Sequence, residues 1–573
     1  MKISDYIVSF LIEKGITDVF GYPGGMVTHL MDSFEKYKKK ISAHVNYHEQ
    51  AAAFCACGYG QVANKPGIAY ATSGPGATNL ITGIANAYFD SAPCIFITGQ
   101  VNTYEAKGDL EVRQKGFQET DIVSIVKSIT KYAVQVTKAE DIRYELEKAF
   151  HISMEGRPGP VLLDIPMNIQ RADVIPEELT PYICSSELQT NEHAVDIILK
   201  ELQSAKKPVI LGGHGVAISG LIQEFRTFVN LVGVPVVTSM TGKEIIATDN
   251  EYNFGFIGAY GDRYANFIIS NSDLIISIGS RLDCRQTGNN LDIFAVGAKI
   301  IRIDIDEKEI EHKIKEDEIN IISNLKDLLP KLTEEQFAIK DQYVTWLEKC
   351  KKVREKLETI DVQDETKVIK KLARLLPEET VITTDVGQNQ VWVAQALHIK
   401  NKQRVLFSGG HGAMGYSLPA AIGAYYASHK PVICFNGDGG LQMNIQELQF
   451  IARENLPIKI ILLNNNSLGM IRHFQEMYFD SKFVQTKKEY GYTTPNFEAI
   501  ANAYGIDYLK IESVEEIENC REVLENNKSC FIEVCLSDTT YVFPKLAMGR
   551  PIFDQEPLLE RELLDELMEM CNE

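Results

Sequence analysis

Short unbroken apolar runs recur along the chain, each closed by a glycine turn and followed by a stretch with helical spacing. Gly67–Ala71 runs into Gly74-Pro75-Gly76, Lys207–Leu211 into Gly212-Gly213, and Pro431–Phe435 into Gly437-Asp438-Gly439. Leu274–Ile278, Ile300–Ile303 and Ile458–Leu463 have the same character. A strand that is apolar on both faces belongs in a parallel sheet covered by helices on both sides. The pattern therefore predicts an α/β protein of doubly wound parallel sheets. Right-handed crossovers then put the ligand-binding loops at the carboxyl ends of the strands.

Two stretches break this rhythm and read as connections. Residues 172–195 are polar, with Pro176 and Pro181, and residues 306–365 are densely charged and helical in pattern. They divide the 573 residues into three α/β domains, 1–172, 190–335 and 365–540, with a C-terminal tail at 541–573. The first and third pieces have a similar layout. Composition narrows the class of function. A formal charge of −20 argues against a nucleic-acid partner, which needs a basic face, but not against small anions bound by backbone amides. Eleven cysteines without a CxxC pair give neither a zinc framework nor a thioredoxin motif, and suit free thiols in a reducing cytoplasm. No apolar run reaches the ~18 residues of a membrane span, and Met1–Tyr6 lacks a signal peptide's basic start. The expectation is a cytoplasmic protein with neither membrane nor nucleic acid as partner.

The most informative stretch is Asn436-Gly437-Asp438-Gly439-Gly440, answered 27 residues after Asp438 by Asn465 within Asn464-Asn465-Asn466-Ser467. The glycines follow one apolar run and the asparagines the next. Neighbouring parallel strands would bring a carboxylate and an amide oxygen together beside amides able to face a diphosphate. Hard oxygen ligands of this kind suit Mg²⁺ bound jointly with that diphosphate. Two competing patterns carry less weight. Gly410–Gly415 spells GxGxxG, but its dinucleotide reading would need Asp438, which the stronger pairing already engages. His44 and His48 are four apart but lack the HExxH order of a metal pair.

This pattern resembles the thiamine-diphosphate motif, and the whole chain is similar to the catalytic subunits of the acetolactate synthase (acetohydroxyacid synthase) family. The likeness runs from about residue 3 to 480, and more loosely to 540, through Gly21–Gly25, His48–Ala52, Ser73–Asn79, Gly116–Glu119, Gly156–Pro160, Gly387-Gln388, Gly412–Gly415 and Leu468–Met470. It implies that Asp438, Asn465 and the Ser467 carbonyl hold Mg²⁺. It further implies that Val386, Gly387, Gln388, Gly412, Gly437, Gly439, Gly440, Gly469 and Met470 line thiamine diphosphate, with Met414 as the apolar prop that bends it. Taken singly, Met414 reads as a core methionine and Glu49 as a helix N-terminal charge. The resemblance instead sets Glu49 against the pyrimidine N1′, where a carboxyl favours the tautomer that takes the C2 proton. It places Gln118 and Phe117 beside the reaction space and Gly25 as the wall opposite. The middle domain resembles the family's FAD-associated domain through Gly212, Gly213, Arg281 and Asp304, although related enzymes keep this domain without flavin or with another nucleotide.

The resemblance implies a carboligase that decarboxylates pyruvate, a small 2-keto acid, and joins the acetyl unit to a second pyruvate. The cofactor would bridge two subunits, giving a homodimer or homotetramer; a separate regulatory subunit is left open. Departures cluster on the acceptor side. Met167 replaces a lysine after Ile165-Pro166, Phe474 replaces a tryptophan, and Tyr104–Lys115 are extra. The segments around Phe543, Gly549 and Pro557 resemble a subgroup tied to sugar-modifying pathways. A keto-sugar nucleotide as acceptor is thus the second reading. Simple 2-keto-acid decarboxylation is the third, and a non-catalytic nucleotide-binding module the fourth.

Overall fold

The apolar runs become strands, and every ladder between them is parallel. The structure, a computed structural model, describes residues 1–184, 191–335 and 339–572. The boundary expected at residue 190 lies outside the described residues. Three six-stranded sheets follow one another along the chain. The first contains β1 (Asp18–Gly21), β2 (Ser42–Val45), β3 (Gly67–Ala71), β4 (Cys94–Gln100), β5 (Tyr132–Gln135) and β6 (Pro160–Pro166). The second contains β7 (Pro208–Gly212), β8 (Val236–Thr238), β9 (Asn253–Phe256), β10 (Leu274–Ile278), β11 (Lys299–Asp304) and β12 (Ile319–Ile322). The third contains β13 (Val381–Thr384), β14 (Arg404–Phe407), β15 (Val432–Gly437), β16 (Ile458–Asn464), β17 (Asp507–Ile511) and β18 (Cys530–Cys535).

The outer sheets share one topology. Their orders, β2-β1-β3-β4-β6-β5 and β14-β13-β15-β16-β18-β17, are the same once each is numbered from its own first strand. Each reverses direction between its first and third strands, and ligands enter open parallel sheets at such switch points. The middle sheet, β9-β8-β7-β10-β11-β12, instead has the 3-2-1-4-5-6 order of dinucleotide-binding folds, with its switch between β7 and β10.

The first and third domains meet through two helices of small residues, Glu49–Ala63 and Ser417–Ser428. Their backbones touch. A Cβ on Gly58 would sit 2.2 Å from the Ala420 carbonyl oxygen, and one on Gly423 would sit 1.9 Å from that of Cys55. One apolar cluster consequently runs through both domains, from Phe54 and Ala56 to Ala420 and Leu462. The C-terminal stretch crosses back to the middle domain, where helix Arg561–Asn572 buries Leu564, Leu567 and Cys571 in its core. Among the described residues no helix is long and apolar enough to cross a membrane.

Candidate active site

The carboxyl ends of β13, β15 and β16 assemble a buried oxygen cluster. Asp438 opens helix Asp438–Met443 immediately after β15, and Asn465 follows the last residue of β16. The Ser467 amide donates both to Asp438 Oδ2 at 3.1 Å and to Asn465 Oδ1 at 3.3 Å, so the two oxygens converge on one point. The amide side of Asn465 is already committed, donating to Gln388 Oε1 at 2.9 Å and Thr540 Oγ1 at 2.8 Å. Its oxygen is thereby turned towards Asp438. Burial pushes Asp438 up to about 7 despite the Gly439 and Ser467 amides, and among the described residues no lysine or arginine is one of the main influences that offset it. A buried carboxylate without a counter-charge beside a fixed amide oxygen is a natural seat for a hard cation.

Glycines let the surrounding turns close. A Cβ on Gly439 would strike Leu468 and come 3.2 Å from Met414 Cε; one on Gly440 would strike Asp385, and one on Gly469 would lie 1.9 Å from Gln388 Oε1. Gly437 is similarly tight against Asn389. Gly387 and Gly412 have φ of +128° and +71°, where only glycine is unstrained. Val386, Met414 and Met470 are half-buried at the rim, over a floor of Asp438, Asn465 and Ser467. Asp385 ties the rim together. Its carboxylate accepts from the amides of Val386, Gly415 and Ser417, and burial pushes it up to about 7. The first and last glycines of the GxGxxG turn thus give their amides to carboxylates, Gly410 to Asp90 and Gly415 to Asp385.

The first sheet gathers the other half. Glu49 is the first residue of its helix, after β2, and its Oε2 accepts from Asn79 Nδ2 at 2.9 Å. Gly76 packs against Glu49 and Thr72, and Thr72 in turn abuts Gly24. Gly25 has open space on its Cβ side. Gln118, at φ +63°, stands against Gly74. Phe117, 79% exposed, and Phe474, 53% exposed, point outwards, and Met167 is half-buried after β6. Phe474 rests on Tyr478 and Phe479 of its own helical end. No hydrogen bond or ion pair among those described joins Glu49 to the Asp438 cluster.

Comparison with known proteins matches three profiles in order. They are the N-terminal TPP binding domain of thiamine pyrophosphate enzymes at residues 1–125, the central domain at 195–332 and the C-terminal TPP binding domain at 385–534. The acetolactate synthase large subunit of Lactococcus lactis is 36% identical, covering 95% of this chain and 94% of its own. The acetolactate synthase isozyme 2 large subunit of Escherichia coli is 34% identical, over 96% and 98%. A probable acetolactate synthase large subunit of Methanocaldococcus jannaschii is 35% identical, over 99% and 98%. The chain belongs to the thiamine pyrophosphate enzyme family.

For a thiamine pyrophosphate enzyme the donor set fits its ion and cofactor. Asp438, Asn465 and the Ser467 carbonyl could hold Mg²⁺, and Gly412, with nothing within 4 Å of its Cβ position, could let a ligand approach the backbone. Sequence reasoning missed three supporting residues: Asp385 and Thr540 on the Asp438 side, and Asn79 beside Glu49. Gln388 stands behind Asn465 as its support, donating to the Thr540 carbonyl at 3.0 Å. At the switch point of the middle sheet lies a cavity of about 610 Å³, walled by all three domains. Arg281 and Asp304 line it; Gly212 and Gly213 lie beside it as packing glycines, against Ile245 and the Gly279 carbonyl, while His214 and Gly215 form the wall. Near its edge His151 Nε2 stands 3.1 Å from Cys184 Sγ and 3.3 Å from Glu155 Oε2. His44 and His48, four apart in sequence, serve separate ends. His44 contacts Asp18 at 2.7 Å, and His48 caps the Gln50 amide.

Proposed function

We propose that this enzyme is an acetolactate synthase-type carboligase, releasing CO₂ from pyruvate and joining the two-carbon unit to a second pyruvate. The observation that carries the reading is the convergence of Asp438 Oδ2 and Asn465 Oδ1 on the Ser467 amide, in a chain similar along its length to acetolactate synthase large subunits. Bound thiamine diphosphate supplies the electron sink that makes decarboxylation of a 2-keto acid possible. The chain's own residues do the rest. Asp438, Asn465 and the Ser467 carbonyl hold Mg²⁺ and so anchor the diphosphate. Val386, Gly387, Gly412, Met414 and Met470 would line the thiamine diphosphate, with Met414 as its apolar prop. Glu49, oriented by Asn79, holds a proton at the pyrimidine N1′. Gln118 offers an amide to developing oxyanion charge.

The outward-facing Phe117 and Phe474, and the open side of Gly25, support a site completed by a second copy of the chain, hence a homodimer or a homotetramer. The cavity at the β7/β10 switch point supports FAD as a structural occupant. A keto-sugar nucleotide as acceptor keeps its place because Phe474 and Met167 leave the acceptor side wide and uncharged. Purified protein with thiamine diphosphate, Mg²⁺ and pyruvate should form acetolactate and CO₂ in a one-to-one ratio. CO₂ without acetolactate would reject the carboligation while leaving the cofactor assignment intact.

A further inference from the structure

Glu447 closes the short turn Ile445–Glu447 that follows the helix begun by Asp438. It is fully buried, yet both its oxygens reach into the other thiamine-binding domain. Oε1 accepts from the Tyr47 amide at 2.8 Å and Oε2 from Asn46 Nδ2 at 2.9 Å. From helix Leu448–Arg453, Arg453 reaches the same loop, donating to the Val45 carbonyl at 3.0 Å and the Tyr47 hydroxyl at 3.1 Å. Its guanidinium also lies over the Tyr47 ring. Four hydrogen bonds and one cation–π contact thus fall on residues 45–47, which lead directly into His48, the N-cap of the helix that Glu49 begins.

A simple brace between domains has no need of this arrangement. The two domains already meet through the close-packed helices Glu49–Ala63 and Ser417–Ser428, and burying a carboxylate is costly. Burial pushes Glu447 up to about 7, in spite of its donors and Arg453. What a carboxylate adds is two acceptors in one plane, so that one side chain fixes both the place and the direction of the loop. Glu49 needs that control, since a proton-handling group must lie within ~2.6–3.2 Å of its target.

We infer that Glu447, assisted by Arg453, is a positioning residue for Glu49: from the diphosphate-binding domain it fixes the turn that sets where the helix bearing Glu49 begins. The inference rests on the role proposed above for Glu49. The test follows hydrogen–deuterium exchange at C2 of thiamine diphosphate in the saturated Mg²⁺ holoenzyme, beside cofactor affinity and amide exchange of residues 45–52 in the cofactor-free protein. Glu447→Ala should slow C2 exchange about tenfold or more, because small misplacements of a reacting group are expensive. Cofactor affinity should stay within about threefold, since that turn does not bear the metal ligands, and the 45–52 amides should exchange faster. Glu447→Gln should stay near wild type. Its carbonyl can still accept from Tyr47, and its amide can donate to Asn46 Oδ1, which has no partner at present. Wild-type C2 exchange in saturated Glu447→Ala, or a loss that Glu447→Gln shares in full, would overturn the inference. Should Glu447→Ala not fold, the exposed Arg453→Ala carries the test with a slowing of about threefold, smaller because one anchor of the loop remains; no slowing there would overturn it equally. Glu49→Gln, run alongside, separates the two readings. Normal C2 exchange in that variant rejects the role of Glu49 itself, whereas slow exchange there with normal exchange in Glu447→Ala rejects only the clamp.

Discussion

At the scale of single residues, the burial that suits Asp438 to the proposed cation site also makes it a burden on the metal-free chain, because it pushes the carboxyl up to about 7. Between roughly pH 4 and 7 the native chain then holds a proton there that the unfolded chain has released. Stability from this group is therefore fully present at low pH and lost as pH rises through 7. Cofactor-free Asp438→Asn should melt at a higher temperature than wild type at pH 8, with the gap closing towards pH 5, while Mg²⁺-dependent thiamine diphosphate binding collapses. A variant that melts lower at pH 8 would mean that its new amide, not the charge, dominates the site. Phe474 is proposed to bear on a different property, the choice of acceptor. Placing an indole there with Phe474→Trp should narrow the proposed acceptor side and shift a pyruvate/2-ketobutyrate competition by about 1 kcal/mol, the scale of one methylene in a pocket. An unchanged ratio would show that this exposed position does not border the acceptor. The juxtaposition of Asp438 and Asn465 was legible in the sequence because both residues lie at the ends of strands that neighbour each other. Asp385 and Thr540 were not, since the partners that draw them to the site, Gly415 and Asn465, are distant along the chain.

At the scale of elements, legibility followed burial. Central strands such as β3, β10 and β16 are covered on both faces, so they are written as unbroken apolar runs and were read within a residue or so of their ends. Edge strands are only half covered. β2, β5 and β17 carry Ser42, Gln135 and Lys510 on exposed or half-buried faces, and β12 hides inside the charged stretch that reads as helix. Helix contacts are less visible still. Nothing in the sequence of Ser417–Ser428 says that its backbone lies against Glu49–Ala63, yet the geometry leaves no room for a methyl group at Gly423. Gly423→Ala gains up to ~1 kcal/mol of helix propensity, but must push a backbone carbonyl aside, and overpacking of this kind costs ~1–3 kcal/mol or more. The variant should therefore melt below wild type. Equal or higher stability would mean that the two helices slide apart freely.

At the scale of the whole molecule, the two candidate half-sites lie on different sheets, and acceptor-side residues of both face outwards. If the proposed dimer forms each site from Glu49 of one copy and Asp438 of the other, two dead chains can make one live site. Mix equal amounts of Glu49→Gln and Asp438→Ala under conditions of subunit exchange. About half of the dimers become mixed, and each mixed dimer holds one intact site and one doubly altered site. Activity should return to about a quarter of the wild-type level, with neither variant active alone. A site contained within one chain predicts no recovery at any mixing ratio, because every chain then lacks one essential residue. Exchange must be shown independently, for instance by following mixed dimers of differently tagged chains by mass. Recovery that tracks the mixed species would place the site between subunits. Mixed dimers without recovery would place Glu49 and Asp438 in one chain's site.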